Sequence, residues 1–209
     1  MTLSYQQHMT GLMSYPAQGT LNRFLFKTPV ICWRMGLGPF LGRGMLLLTT
    51  WGRKSRLPRH TMLSYTFHGG KFYVISGWGE RSDWYQNTIA DPHTTVQLGS
   101  STYHAIARRV TAGEEFAAVM QIILRNGGDS YFLPLLQSLD IAYDLDDLAA
   151  KRDRVHLVAL DPTDQAGPPP MASDLLWVWP VLLAGIVIGG YYVNRCLGAL
   201  RADAKKPHV

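Results

Sequence analysis

Apolar and polar positions alternate in short bursts over the first 160 residues of this 209-residue chain, and then the pattern changes character. Residues 45–50 (MLLLTT) form a short apolar run, and residues 59–67 alternate in part, both signatures of strands. His68-Gly69-Gly70 is a turn signal leading into residues 71–76 (KFYVIS), so a hairpin is expected there. Residues 82–90 read as a helix, capped by Ser82 or Asp83 and stopped ahead of Pro92. Strands resume at 94–98 and 103–110 around the turn Gly99-Ser100-Ser101. Residues 114–124 (EEFAAVMQIIL) have helical spacing, with acids in the first turn where the helix dipole favours them. Residues 129–150 are loosely helical, and 155–160 (VHLVAL) is a final strand. Six short strands with interspersed helices predict an α+β domain, mainly β, closed as a small antiparallel barrel.

Beyond residue 160 the alternation stops. Residues 161–173 (DPTDQAGPPPMAS) read as an extended, polar spacer. Residues 175–193 (LLWVWPVLLAGIVIGGYYV) then run for 19 positions without a charge. At about 1.5 Å per residue that length approaches the roughly 30 Å hydrocarbon core of a bilayer, so a transmembrane helix is predicted. Trp177 and Trp179 at one end and Tyr191 and Tyr192 at the other suit the two interfaces. The expected division is an N-terminal amphipathic or helical segment (1–42), a barrel (43–162), a linker (163–174), a membrane helix (175–193) and a basic tail (194–209).

Composition narrows this picture. Charged residues make up 17% of the chain and the net charge is +5, with no pattern pointing to nucleic acid. The two cysteines, Cys32 and Cys196, do not suggest a structural disulfide. Residues 1–20 carry no apolar core behind a basic start, so no secretory signal is expected and the domain is assigned to the cytoplasmic side of a cell membrane. The basic residues after 193 argue for the same side for the tail, which leaves the topology open. Residues 20–42 mix Phe24, Phe26, Ile31 and Trp33 with Arg23, Lys27 and Arg34, suited either to a membrane interface or to packing on the barrel.

Two clusters carry candidate chemistry. In Gly52-Arg53-Lys54-Ser55-Arg56, followed by Pro58-Arg59-His60, several cations converge beside a glycine, which suits a phosphate or polycarboxylate, or a solvated turn. Ser76-Gly77-Trp78-Gly79-Glu80-Arg81-Ser82-Asp83-Trp84-Tyr85-Gln86-Asn87 is a glycine-rich loop entering a helix, with two indoles that could cover a planar ring or simply pack the helix. No metal-ligand spacing or nucleophilic triad occurs, so no metal site is expected and no catalytic side chain is assigned.

With their spacing, LLLTTWGRKSRLPRHTMLSY, VISGWGERSDWYQNTIADPHTTVQLG and VHLVALDP resemble the deazaflavin-dependent nitroreductase family over residues 40–162. The resemblance implies a six-stranded split β-barrel of the FMN-binding, flavin-reductase-like type, and the cofactor coenzyme F420, with FMN as the alternative. It carries the acidic tail of the cofactor to Arg53, Lys54, Ser55 and Arg59, and the deazaflavin ring to Ser76, Gly77, Trp78 and Trp84. Where the family has a second glycine after Lys-Ser, this chain has Arg56, which either adds a contact or closes the turn differently. Tyr131 and Tyr143 stand in for a tyrosine-rich substrate helix only weakly. The implied activity is hydride transfer from reduced F420 to a lipophilic acceptor such as a quinone, or to a nitro compound. The alternative is a non-catalytic or FMN-binding accessory subunit of a membrane complex. Expected partners are the lipid bilayer, the quinone and a complex partner or second copy packing on the Gly185/Gly189 face of the tail helix.

Overall fold

The computed structural model describes residues 27–203 except 43, 112, 126–135, 137, 138 and 143, with side chains omitted at 145 and beyond 195. The amphipathic stretch before residue 27, the stretch holding Tyr131 and Tyr143, Cys196 and the end of the basic tail lie outside the described side chains. Helix α1 (27–32) runs into a π-helical turn, Trp33–Leu37, and a short α2, Gly38–Leu41. The strands are β1 Met45–Trp51, β2 Pro58–Ser64, β3 Thr66–His68, β4 Lys71–Ile75, β5 His93–Leu98, β6 Ser101–Val110 and β7 Leu157–Thr163. Helices α3 Asp83–Ala90, α4 Gly113–Arg125, α5 Leu145–Ala150 and α6 Val178–Asp203 complete the order.

All strand pairs are antiparallel, in one sheet of order β2-β1-β5-β6-β7-β4-β3. The expected six-stranded closed barrel is therefore corrected to a seven-stranded open sheet. The physical cause is Tyr65. It divides the alternating run into β2, which pairs with β1, and β3, which pairs with β4 at the opposite edge. One residue joins the two edges, so the sheet must curl until they approach, yet no ladder closes it. The Tyr65 ring anchors this corner edge-on against Phe72, with centroids 5.1 Å apart.

Side chains alternate across the sheet and define two faces. On the inner face, Leu46, Leu48, Val96, Val74 and Leu160 pack with Trp84 and Tyr85 of α3. A second cluster joins α4, through Phe116, Val119 and Met120 at helical spacing, to Leu148 of α5 and Val110 and Leu157 of the sheet. On the outer face of β1 and β5, Thr49 and Thr95 sit opposite one another in register.

The chain after β7, expected as a spacer, lies on that outer face. Gly167 N donates to His104 Nδ1 at 3.2 Å, and the Gln97 amide both donates to Met171 O (3.1 Å) and accepts from Met171 N (2.8 Å). The Arg34 guanidinium then grips the Asp174 carboxylate through two bonds of 2.7 and 2.6 Å. Each charge holds the other in its ionised form: Asp174 lies below and Arg34 above its ordinary pKa, chiefly through this hydrogen bonding.

This clasp also changes the tail. Leu175 N donates to Arg34 O at 3.0 Å and Trp179 Nε1 to Met35 O at 2.8 Å, so α6 begins only at Val178. Among the described residues no helix is long and apolar enough to cross a membrane. The transmembrane helix expected over 175–193 is not found. The charge-free helical positions run from 178 to 194, which at about 1.5 Å each span roughly 26 Å against a hydrocarbon core of about 30 Å. Val181, Leu183, Ile186, Val187, Ile188 and Tyr192 are all exposed, and a side chain at Gly185 or Gly189 would meet nothing within 4 Å.

Candidate functional site

A groove of about 1530 Å³ follows the edge strand β2. Its floor is set by what the β1–β2 turn and the start of α3 do to each other. In the turn, Gly52 N donates to Leu57 O (2.9 Å) and Arg56 N to Gly52 O (2.7 Å). A side chain at Gly52 would stand 2.6 Å from Ser55 Oγ and 3.2 Å from both Leu57 O and Arg59 Cγ, so only glycine allows the turn to fold this tightly. Arg56, in the place of the family's second glycine, adopts a left-handed φ of 53° and reaches Asp91 at 3.6 Å. The turn closes anyway, and its guanidinium points toward Asp91.

Asn87 ties this turn to α3. Its Oδ1 accepts from Arg53 N and from Arg53 Nη1, each at 3.1 Å, while its Nδ2 donates to Thr50 Oγ1 at 3.2 Å. Arg53 also meets Asp83 at 2.9 Å. Its charge is thus already matched within the protein. Arg59 makes only a neutral contact, donating to Ser55 Oγ at 3.2 Å, and Lys54 is exposed. The cations left to attract an anionic ligand are therefore Lys54 and Arg59, with Arg53 shaping the turn. Asn87 and His60 stand inside the two clusters named from the sequence, but neither was assigned a role there.

Gly77, Trp78, Ser82, Asp83 and Trp84 form the other wall. Ser76 does not. It is 2% exposed, with Oγ 2.7 Å from Gly79 O and 2.6 Å from Ser82 Oγ, so it braces the loop from behind. Gly79 holds a φ of 54°, with its α-carbon against the His156 ring, where a side chain would approach within 3.2 Å. Trp84 is 6% exposed and belongs to the inner core, edge-on to Tyr85, while still lining the groove; Trp78 is the half-buried indole of the wall. All four residues expected at the acidic tail thus meet on one wall, and three of the four expected at the ring meet on the other.

Because β2 is an edge strand, the groove reaches both of its faces. Arg59 is paired with Thr50, which bonds Asn87 on the inner face. His60 is paired with Thr49 on the outer face, and its Nδ1 lies 3.0 Å from Thr49 Oγ1. Burial, reinforced by the nearby Arg34 charge, holds the His60 pKa below its ordinary value. On this outer side the groove is bounded by Ile31, Arg34, Met62 and the strap 169–172. Among the described residues no cluster of His, Cys, Asp and Glu could hold a metal ion.

Comparison with known proteins shows a likeness over part of the chain. Residues 35–132 match the family model described as F420H(2)-dependent quinone reductase. F420H(2)-dependent quinone reductases of Mycobacterium tuberculosis, from strains H37Rv and CDC 1551, are each 29% identical over 90 residues, covering 41% of this chain. The chain spans 60% of the length of these curated relatives. Among solved structures, an F420-H2 dependent reductase (FDR-A) is 21% identical, with a TM-score of 0.44 over 57% of this chain and 95% of that one. The heme storage protein HutZ of Vibrio cholerae is 14% identical, with a TM-score of 0.42 over 70% of this chain and 96% of its own. The matched stretch 35–132 holds the basic turn, the aromatic wall and the Asn87 link, and over this stretch the chain is similar to the F420H(2)-dependent quinone reductase family.

Proposed function

We propose that this protein is an oxidoreductase that binds coenzyme F420 in the inner half of the groove and reduces a quinone there. The observation that carries the reading is that the cations Lys54 and Arg59 and the indole of Trp78 line one groove. A planar ring with an acidic tail needs both, separated by a few residues' reach. The residues fit: the tight Gly52 turn brings two cations without acidic partners to one wall, and Gly77 leaves backbone exposed on the other. When bound, the reduced deazaflavin supplies the hydride. The chain's own residues bind and orient it, Lys54, Ser55 and Arg59 at the tail and Gly77 and Trp78 at the ring. The chemistry belongs to the cofactor, so positioning is what the protein contributes.

The same proposal places the domain at the cytoplasmic face of a membrane, with α6 in contact with lipid but not crossing it. What supports this is the exposure of apolar side chains on every side of that helix, a surface that calls for an apolar surround.

The test is a fluorescence titration of the full chain with F420 and with FMN at low and high salt. Lys54→Ala and Arg59→Ala are each expected to weaken F420 binding by about 1–3 kcal/mol, the range for a hydrogen bond to a charged group, and more salt should weaken the wild type too. Trp78→Ala is expected to weaken it with little salt dependence. Absence of F420 binding at micromolar concentration refutes the reading; binding of FMN alone refutes the cofactor assignment.

A further inference from the structure

The two halves of the groove differ in chemistry, and the cofactor contacts proposed above all lie in the inner half. Most of the outer half's polar groups are spent on one another: His60 on Thr49, Arg34 on Asp174, and the Met171 amide and carbonyl on Gln97. The rest of the lining is Val30, Ile31, Met62, Pro169, Pro170 and Met171, together with the exposed Lys27. Apart from Lys27, a charged or hydrogen-bonding ligand would find few partners there, whereas an apolar chain would displace water from apolar walls. The strap 167–174 that forms one wall lies beyond the matched stretch 35–132. The clasp at Arg34 and Asp174 also roots α6, whose exposed apolar side chains begin within a few residues of it. The outer half thus runs from the lipophilic helix, around β2, to the cationic and aromatic inner half.

From this arrangement we infer that the outer half is the subsite for the apolar side chain of a membrane-soluble quinone, entering beside α6 with its head directed to the inner half. The inference rests on the quinone reading above. Pro169 and Pro170 give the strap a stiff apolar wall, and neutral His60 adds no charge to the chamber.

The test uses the full chain in mild detergent without F420. Two naphthoquinones are compared by tryptophan quenching: one without a side chain and one bearing two isoprene units. The prenylated compound is expected to bind at least tenfold more tightly, and Ile31→Glu and Met62→Glu are each expected to reduce that preference below twofold while leaving F420 affinity unchanged. Equal affinity of the two quinones for the wild type, or a preference retained in both variants, overturns the inference. Independently of any variant, a photoreactive group at the end of the prenyl chain should label peptides within 27–34 or 167–174. Labelling confined to 77–87 overturns it. Reduction of the quinone by F420-loaded protein is scored separately: labelling of the outer half without turnover leaves the subsite standing and removes the reductase reading. Turnover with the overturning label pattern does the reverse.

Discussion

Asn87→Ala is the perturbation that most directly tests how the site is held. The Asn87 side chain is 3% exposed and makes three hydrogen bonds, two accepted from Arg53 and one donated to Thr50. The Arg53 guanidinium is 30% exposed and keeps Asp83, so water replaces its lost bond at small cost. The Arg53 amide and the buried Thr50 hydroxyl are different, since an unsatisfied buried group costs about 1–3 kcal/mol. Allowing the hydroxyl to rotate toward another acceptor, the substitution should cost about 2–3 kcal/mol. With a urea slope of about 1–3 kcal/mol per molar, the unfolding midpoint should fall by roughly 1 M without a change of slope. Asn87→Asp keeps both acceptor contacts and faces a guanidinium, so it should cost less than half as much. F420 affinity should fall in Asn87→Ala as well, because the turn carrying Lys54 loses its tie to α3. An Asn87→Ala midpoint within error of wild type would refute the claim that this side chain couples the two walls.

Two further predictions follow from local geometry. Arg56 holds a left-handed backbone that costs a non-glycine residue about 1 kcal/mol, and its pair with Asp91 is largely solvated and worth only a few tenths. Arg56→Gly is therefore expected to raise stability by about 0.5–1 kcal/mol in urea unfolding. His60 has a folded-state pKa below its unfolded value, so its contribution to stability is present above about 6.5 and lost as pH falls through the folded pKa. His93, raised by its hydrogen bond to Asp91, acts with the opposite sign and is lost as pH rises. The difference between wild type and His60→Gln isolates the His60 effect: the variant should lose less stability than wild type between pH 7 and 5, and parallel pH profiles would contradict it.

Most of the sheet was legible because its strands are short apolar runs set off by turns, and β1, β4, β5 and β7 lie within a few residues of where periodicity put them. The run 59–67 was not divisible by pattern. Alternation continues through Tyr65, and only the change of pairing partner from β1 to β4 makes it a corner. The basic turn was legible because charge density needs no tertiary information. That Arg53 is already matched by Asp83 was not, since the two lie 30 positions apart in sequence and meet only through α3. The resemblance carried Ser76 to the ring, whereas the strand that delivers it turns its hydroxyl inward to Ser82. The tail was misjudged for a related reason. Hydropathy counts apolar residues but does not see that a clasp at Arg34 removes the first three from the helix.

The clasp and the corner together explain why a groove exists at this edge. An exposed edge strand is a hazard that proteins cover, and here the cover is incomplete in a specific way. Residues before β1 and after β7 close over the outer face of β2, tied by Arg34 and Asp174, while the inner face is left facing α3 across the gap that Tyr65 bridges at one end. Closing the gap with a ladder between β2 and β4 would have removed the inner half. Leaving the tail undocked would have removed the outer half and exposed Met62 and Ile31. The chain segments outside the matched stretch therefore do more than extend the domain: they turn one edge of an open sheet into a passage with a cationic, aromatic end and an apolar one. Breaking the clasp with Asp174→Asn should accordingly affect the two ends unequally, leaving F420 affinity intact while raising the concentration of prenylated quinone needed for half-saturation. An equal loss at both ends would mean that the passage is held by the sheet alone.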